Sequence, residues 1–230
     1  MAMDNVGASA LNSGLGSDDP VARRNAAEML CQTEFGVVHL VKRLSDPCTD
    51  VRLCAVWGLS RTRNLSKADA LVLGRRLLDQ EPEVQELATQ ALCYLGELGA
   101  DALAHQLAHQ RSHDLAAEAL ISLESVGARA TLAMLRSEQE PRVRRRAAAV
   151  LENLAEDGAA ALASCLQDKD AGLRRRAVEA LGRMGKLAVP HVQKLMALLQ
   201  DKDSYVRVSA ERALRSEGLV EAYQAESGDK

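Results

Sequence analysis

DKDAGLRRRAVEALGRMGKLAVPHVQKLMALLQDKDSYVRVSAERAL, residues 168–214, makes one statement twice. Asp168, Leu173, Arg174, Ala177 and Leu181 return as Asp201, Val206, Arg207, Ala210 and Leu214, an interval of 33 residues. Self-similarity at such a period is the mark of stacked helical units, each too small to bury its own apolar face. Working outward, the closing leucine recurs as Leu30, Leu59, Leu92, Leu120 and Leu151 before Leu181 and Leu214, at intervals of 28 to 33 residues.

Each copy carries the same inner grammar. Counting from the Val of the Val-Arg pair as offset 0, apolar residues stand at 0, +4 and +8, as in Val51, Ala55, Leu59 and Val143, Ala147, Leu151. That spacing is one face of a helix, here called B. Polar or acidic residues precede it at −5 and −3, for example Asp46, Asp79 and Asp201 at −5 and Asp19, Asp170 and Asp203 at −3. They suit a helix N-terminus, and Pro20, Pro82 and Pro141 fall where proline opens a helix. A shorter helix A follows, with Val189, Val192, Leu195 and Leu199 as its stripe in the last copy and Pro190 near its start. Gly96, Gly99, Gly127, Gly158, Gly182 and Gly185 read as C-caps or turns between the two.

The expectation is an all-α chain: a right-handed α-solenoid of six to seven repeats of about 30 residues over 17–216. Residues 1–16 are expected to form a flexible arm, and 217–230 a cap built on Leu219, Val220 and Tyr223 with a fraying polar tail. The fourth copy, AHQRSHDLAAEAL, has Ser112 in place of the Val, no Arg and a turn about two residues shorter, so it is the expected weak junction.

Composition agrees. Of 230 residues, 47% are hydrophobic but only 2% aromatic, so the core must be Ala and Leu, which suits close-packed helices better than strands. A formal net charge of −3 gives no global pull toward nucleic acid or anionic membrane. Five cysteines without a CxxC pair argue for a reducing compartment, and Cys54 and Cys165 read as small core or boundary residues. No secretory signal is visible and no apolar run reaches the ~18 residues of a membrane span. The reading is an intracellular protein, cytoplasmic, or from an organelle if a transit segment has been removed.

The motif DxDxxVRxxAxxAL at 201–214, its relative at 168–181 and ALGRMGKLAVPHVQKLMALLQDKD at 180–203 resemble HEAT repeats, specifically the short HEAT-like class of phycobilisome lyases and related proteins. The resemblance implies that B helices line a concave surface. It also raises a phycobiliprotein lyase or chaperone-like subunit and a DNA-binding protein or DNA glycosylase as alternatives to a non-catalytic scaffold. Net negative charge and scarce aromatics stand against nucleic acid. Deoxyhypusine hydroxylase is HEAT-like too, but its iron ligands come from His-Glu dipeptides, and none occurs in this chain.

Two sets of residues stand out. Arg23, Arg52, Arg144, Arg174 and Arg207 at offset +1 lie to the side of the buried stripe, placed to bond acidic turns as a structural ladder. Offsets +2, +6 and +9 project away from it and would meet a partner: Leu53 and Trp57 in the N-terminal half, Arg145, Arg175, Arg212 and Arg215 in the C-terminal half. Trp57 is either an interface anchor or a side chain folded back against a neighbouring A helix. The arginine strip either receives an acidic peptide or phosphate, or is a solvated face balanced by Glu152 and Glu179. His105, His109 and His113 have helical spacing, but the A–B turn falls between the last two, so no metal site is expected. No cofactor is expected either, and the P-loop, zincin and GxSxG motifs are absent from the sequence.

Overall fold

The computed structural model describes residues 13–31, 36–62 and 64–228, and among these every regular element is helical. In order they are α1 (Pro20–Leu30), α2 (Val37–Arg43), α3 (Thr49–Ser60), α4 (Lys67–Gly74), α5 (Pro82–Tyr94), α6 (Glu97–Gln106), α7 (His113–Ser122), α8 (Glu124–Ser137), α9 (Pro141–Glu152), α10 (Ala155–Ala163), α11 (Ala171–Met184), α12 (Val192–Ala197), α13 (Ser204–Leu214) and α14 (Val220–Ser227). Odd-numbered helices are the B helices and even-numbered ones the A helices, with short 3-10 turns at Arg75–Leu78, Gly185–His191 and Leu198–Gln200.

The chain divides into two compact units, residues 1–119 and 120–230, and the division falls inside α7, the B helix of the degenerate fourth copy. In the first unit B packs on B (α1 on α3, α3 on α5) and A packs on A (α4 on α6). In the second, α9 packs on α11 and α11 on α13, with α8 and α10 against α9 and α14 closing on α12. This is the layered helical-hairpin architecture of an α-solenoid, and the apolar grammar explains it. Offsets 0, +4 and +8 are buried in copy after copy: Val51, Ala55 and Leu59; Val84, Ala88 and Leu92; Leu173, Ala177 and Leu181. Alanine at +4 lets neighbouring backbones come close while leucine at +8 fills the space between layers.

Several details differ from the sequence reading. Gly96 and Gly185 do occupy B-to-A turns, at φ +59° and +56°. Gly99, Gly127 and Gly158 instead lie inside α6, α8 and α10, and Gly182 inside α11. At Gly99, Gly127 and Gly158 a Cβ would come within 1.8 Å of the carbonyl oxygen of Leu92, Leu120 and Leu151, so glycine there admits the A helix onto the end of its own B helix. The last A stripe is Ala188, Val192, Leu195 and Leu198, because the 3-10 turn around Pro190 changes the phase; Val189 and Leu199 are only half-buried. Of the segment read as an arm, residues 1–12 lie outside the described residues, while residues 13–15 are helical and Leu15 is buried. Toward the other end, Leu219 is buried and Gln193 Nε2 donates to Glu226 Oε2 at 3.0 Å, so α14 covers the A layer.

Candidate functional site

The offset +1 arginines are built into the A–B turns, and the geometry is the same at three of them. Arg23 Nη1 donates to the carbonyls of Ser17 and Asp18 in its own turn, while Nε and Nη2 grip both carboxylate oxygens of Asp46 in the next turn at 2.9 Å each. Arg52 holds the Asp46 and Pro47 carbonyls and Asp79 (3.0 and 2.8 Å); Arg174 holds the Asp168 and Lys169 carbonyls and Asp201 (2.8 and 2.7 Å). Each of these carboxylates also accepts the backbone N–H two residues on, at Cys48, Glu81 and Asp203, so one Asp shapes its own turn and receives the preceding repeat.

Arg144 departs by one step. Its Nε is taken by the Glu138 carbonyl, and Nη1 reaches Asp170 at 2.6 Å instead of Asp168. In the third copy Gln85 keeps only the own-turn bond, to the Asp79 carbonyl, and in the last copy Arg207 bonds the Asp201 and Lys202 carbonyls. The fourth copy has a buried Ser112 hydroxyl 3.2 Å from Gln106 Oε1 where four of the other copies have valine. Burial alone raises the Asp46 and Asp79 carboxyls, but the arginine bond, the turn N–H and the guanidinium charge outweigh it and hold both below the ordinary carboxylate value. For Asp201 the bond from Arg174 is the largest influence and the direction is the same.

On the exposed side of the B helices in the first unit, Trp57 is 45% exposed, and the Arg61 guanidinium lies 5.0 Å from its ring centroid. It separates two grooves. One, of about 380 Å³, is lined by Leu53, Cys54, Leu87 and the charged rim of Arg24, Glu28 and Asp50. The other, of about 820 Å³, is lined by Leu65, Leu87, Leu95, Leu98 and Tyr94 together with Trp57. Tyr94 is 83% exposed. The offsets chosen from the sequence missed it, because +10 is the next turn of the ridge that +6 occupies; the i, i+4 spacing from Gln90 was the available signal. Leu53 itself is half-buried. Beneath the smaller groove the Cys54 thiol is lowered, first by its hydrogen bond with Cys31, while Cys31 is raised. Cys165 is buried in the second unit.

In the second unit, Arg145 on α9 is exposed, Arg175 on α11 pairs with Glu179 at 3.5 Å, Arg212 on α13 is exposed, and Arg215 pairs with Glu211 at 2.9 Å. His105 ends up in α6, His109 in the following turn and His113 at the start of α7, and no group of three His, Cys, Asp or Glu residues able to hold a metal occurs among the described residues.

One ladder recurs on both units, and a model of HEAT repeats matches residues 8–93 and 128–215. The chain belongs to the HEAT-repeat family. In this HEAT-repeat protein the matched segments hold all five ladder arginines and all six ridge residues singled out from the sequence, of which Leu53 and Arg175 are half-buried, and the stretch between them holds the atypical fourth copy. Among solved structures, an engineered protein is 21% identical, with 96% of this chain and 98% of that chain covered and a TM-score of 0.37. The complex of CpcE and CpcF of phycocyanin lyase from Nostoc sp. PCC7120 is 18% identical (92% and 95% covered, TM-score 0.41). Human deoxyhypusine hydroxylase is 18% identical (94% and 96% covered, TM-score 0.39). No curated protein matches the chain. No helix among the described residues is long and apolar enough to cross a membrane.

Proposed function

We propose that this HEAT-repeat chain is a non-catalytic scaffold or adaptor that takes a partner protein on its B-helix ridge, with Leu53 and Trp57 as the anchor in the first unit. The observation that carries the reading is the one tryptophan of the chain standing 45% exposed between two apolar-sided grooves. Apolar surface left in water costs about 25 cal/mol per Å², and Trp is the side chain most often found at the energetic centre of an interface. Arg145, Arg175, Arg212 and Arg215 supply a second, charged part of the ridge. The grooves present apolar, aromatic and charge-paired groups, a surface for recognition.

Because there is one Trp, its fluorescence reports on this site alone. Native-extract capture with wild type and Trp57→Ala, both first shown to give the same helical circular-dichroism melt, should recover a partner about thirtyfold less well with the variant, the size of a 2 kcal/mol anchor. Purified partner should shift the Trp57 emission to the blue. Equal capture together with an unmoved spectrum would take Trp57 out of the site.

A further inference from the structure

In the second unit, Arg145 on α9 and Arg175 on α11 hold the same ridge position one repeat apart, and Val208 follows at that position on α13. These helices pack in that order. The nearby carboxylates already have arginine partners. Glu152 accepts from Arg183 Nε at 2.9 Å, Glu211 holds Arg215, and Glu179 is divided between Arg175 (3.5 Å) and Arg176 (3.2 Å). The side chains of Arg145 and Arg212 have no ion pair or hydrogen bond among the described residues. Cations thus outnumber anions on this ridge. Burial pushes the Arg176 guanidinium below its ordinary value, and the charges of Arg175, Arg145 and Arg183 push the same way against Glu179. At the α13 end the ridge turns apolar: Tyr205 is 69% and Val208 55% exposed.

We infer that this ridge binds an extended acidic segment of a partner protein, two carboxylates meeting Arg145 and Arg175 and an apolar side chain lying on Val208 and Tyr205. Packed helix axes sit about 8–10 Å apart, and a chain in the polyproline-II conformation advances about 3.1 Å per residue with three residues per turn, so every third side chain faces the ridge and meets a new helix. The sequence sought is Glu-x-x-Glu-x-x-Leu. The apolar last step favours a peptide over a nucleic acid or lipid surface, each of which would offer phosphate there as well. The inference rests on the reading of the B ridge as the partner face, and it concerns the second unit alone.

The test is fluorescence anisotropy with a labelled synthetic peptide in which Glu-x-x-Glu-x-x-Leu is set in Gly and Ser. Arg145→Ala with Arg175→Ala should weaken binding about a hundredfold, roughly tenfold for each charge-assisted contact. Lys169→Ala with Lys202→Ala, an equal charge change in the exposed A–B turns, should leave it within about twofold. A peptide of the same composition with the two Glu adjacent should bind more weakly. Absence of binding, equal weakening by the turn variants, or indifference to Glu spacing overturns the inference. So does tighter binding of a single-stranded oligonucleotide or of phosphatidylserine vesicles, or sedimentation showing self-association that the Arg145 and Arg175 changes abolish. The synthetic peptide reads the second unit only, so its failure leaves the Trp57 experiment standing, and the converse holds too.

Discussion

At the scale of single residues, the arginines of this chain divide by what surrounds them. The Arg52–Asp79 pair is nearly closed to solvent, with side-chain exposures of 10% and 4%, and the guanidinium makes bonds on both sides of a repeat boundary. Removing one partner of such a pair strands the other in a low-dielectric setting, so Arg52→Ala is expected to cost about 3 kcal/mol. Arg183, bonded to Glu152 but 56% exposed, should cost no more than about 1 kcal/mol when truncated. Urea unfolding of both variants checks the contrast, and equal losses would mean that burial is not what gives the ladder its strength. The ladder positions were legible in the sequence, since Arg at +1 and acid at −5 recur together. The own-turn clamp was not, because backbone carbonyls leave no trace in residue identity, and neither was the step of Arg144 onto Asp170, which depends on where Glu138 places its carbonyl.

At the scale of the element, the B-to-A turn repeats a positive φ more faithfully than a residue. Four positions after the closing leucines Leu92, Leu120, Leu151 and Leu181 come Gly96, Glu124, Ala155 and Gly185, and all four have positive φ, at +59°, +48°, +45° and +56°. Only glycine is at ease there. A Cβ in left-handed backbone costs about 1–2 kcal/mol, against about 0.5–1 kcal/mol for the extra freedom that glycine gives the unfolded chain. Ala155→Gly should therefore stabilise the protein by about 0.5–1 kcal/mol, and Gly96→Ala, at φ +59° and ψ −124° outside the left-handed helical well, should destabilise it by about 1–3 kcal/mol, both read from denaturant midpoints at unchanged slope. A destabilised Ala155→Gly would show that the turn is not strained at that residue. Spacing alone hid this rule, since two of the four turn residues are not glycine, while Gly99, Gly127 and Gly158 drew attention to themselves for another reason, the close approach of each A helix. The ridge suffered a similar loss. Trp57 and Arg145 follow from helical arithmetic, whereas the groove between Trp57 and Tyr94 depends on how α3 and α5 pack, a relation between helices that a one-dimensional period does not contain.

For the molecule as a whole, the ladder ties stability to acid. Asp46 and Asp79 in the first unit, and Asp170 and Asp201 in the second, are all held below the ordinary carboxylate value in the folded chain. A carboxyl whose folded pKa lies below its unfolded value of about 3.9 binds fewer protons when folded, so its contribution is complete above that value and disappears as pH falls through the folded one. Each unit carries two such groups, and nearest-neighbour stacking means that every lost rung weakens a boundary between repeats. Stability is therefore expected to stay level in its carboxylate part from about pH 7 to pH 5 and to fall steeply below about pH 4. Urea unfolding followed by circular dichroism across that range measures the slope. In Asp79→Asn with Asp201→Asn, which removes one ladder carboxylate from each unit, the protein should be weaker at neutral pH and the acid fall shallower, because fewer protons remain to be taken up on unfolding. An unchanged slope in that double variant would place the acid sensitivity in carboxylates outside the ladder.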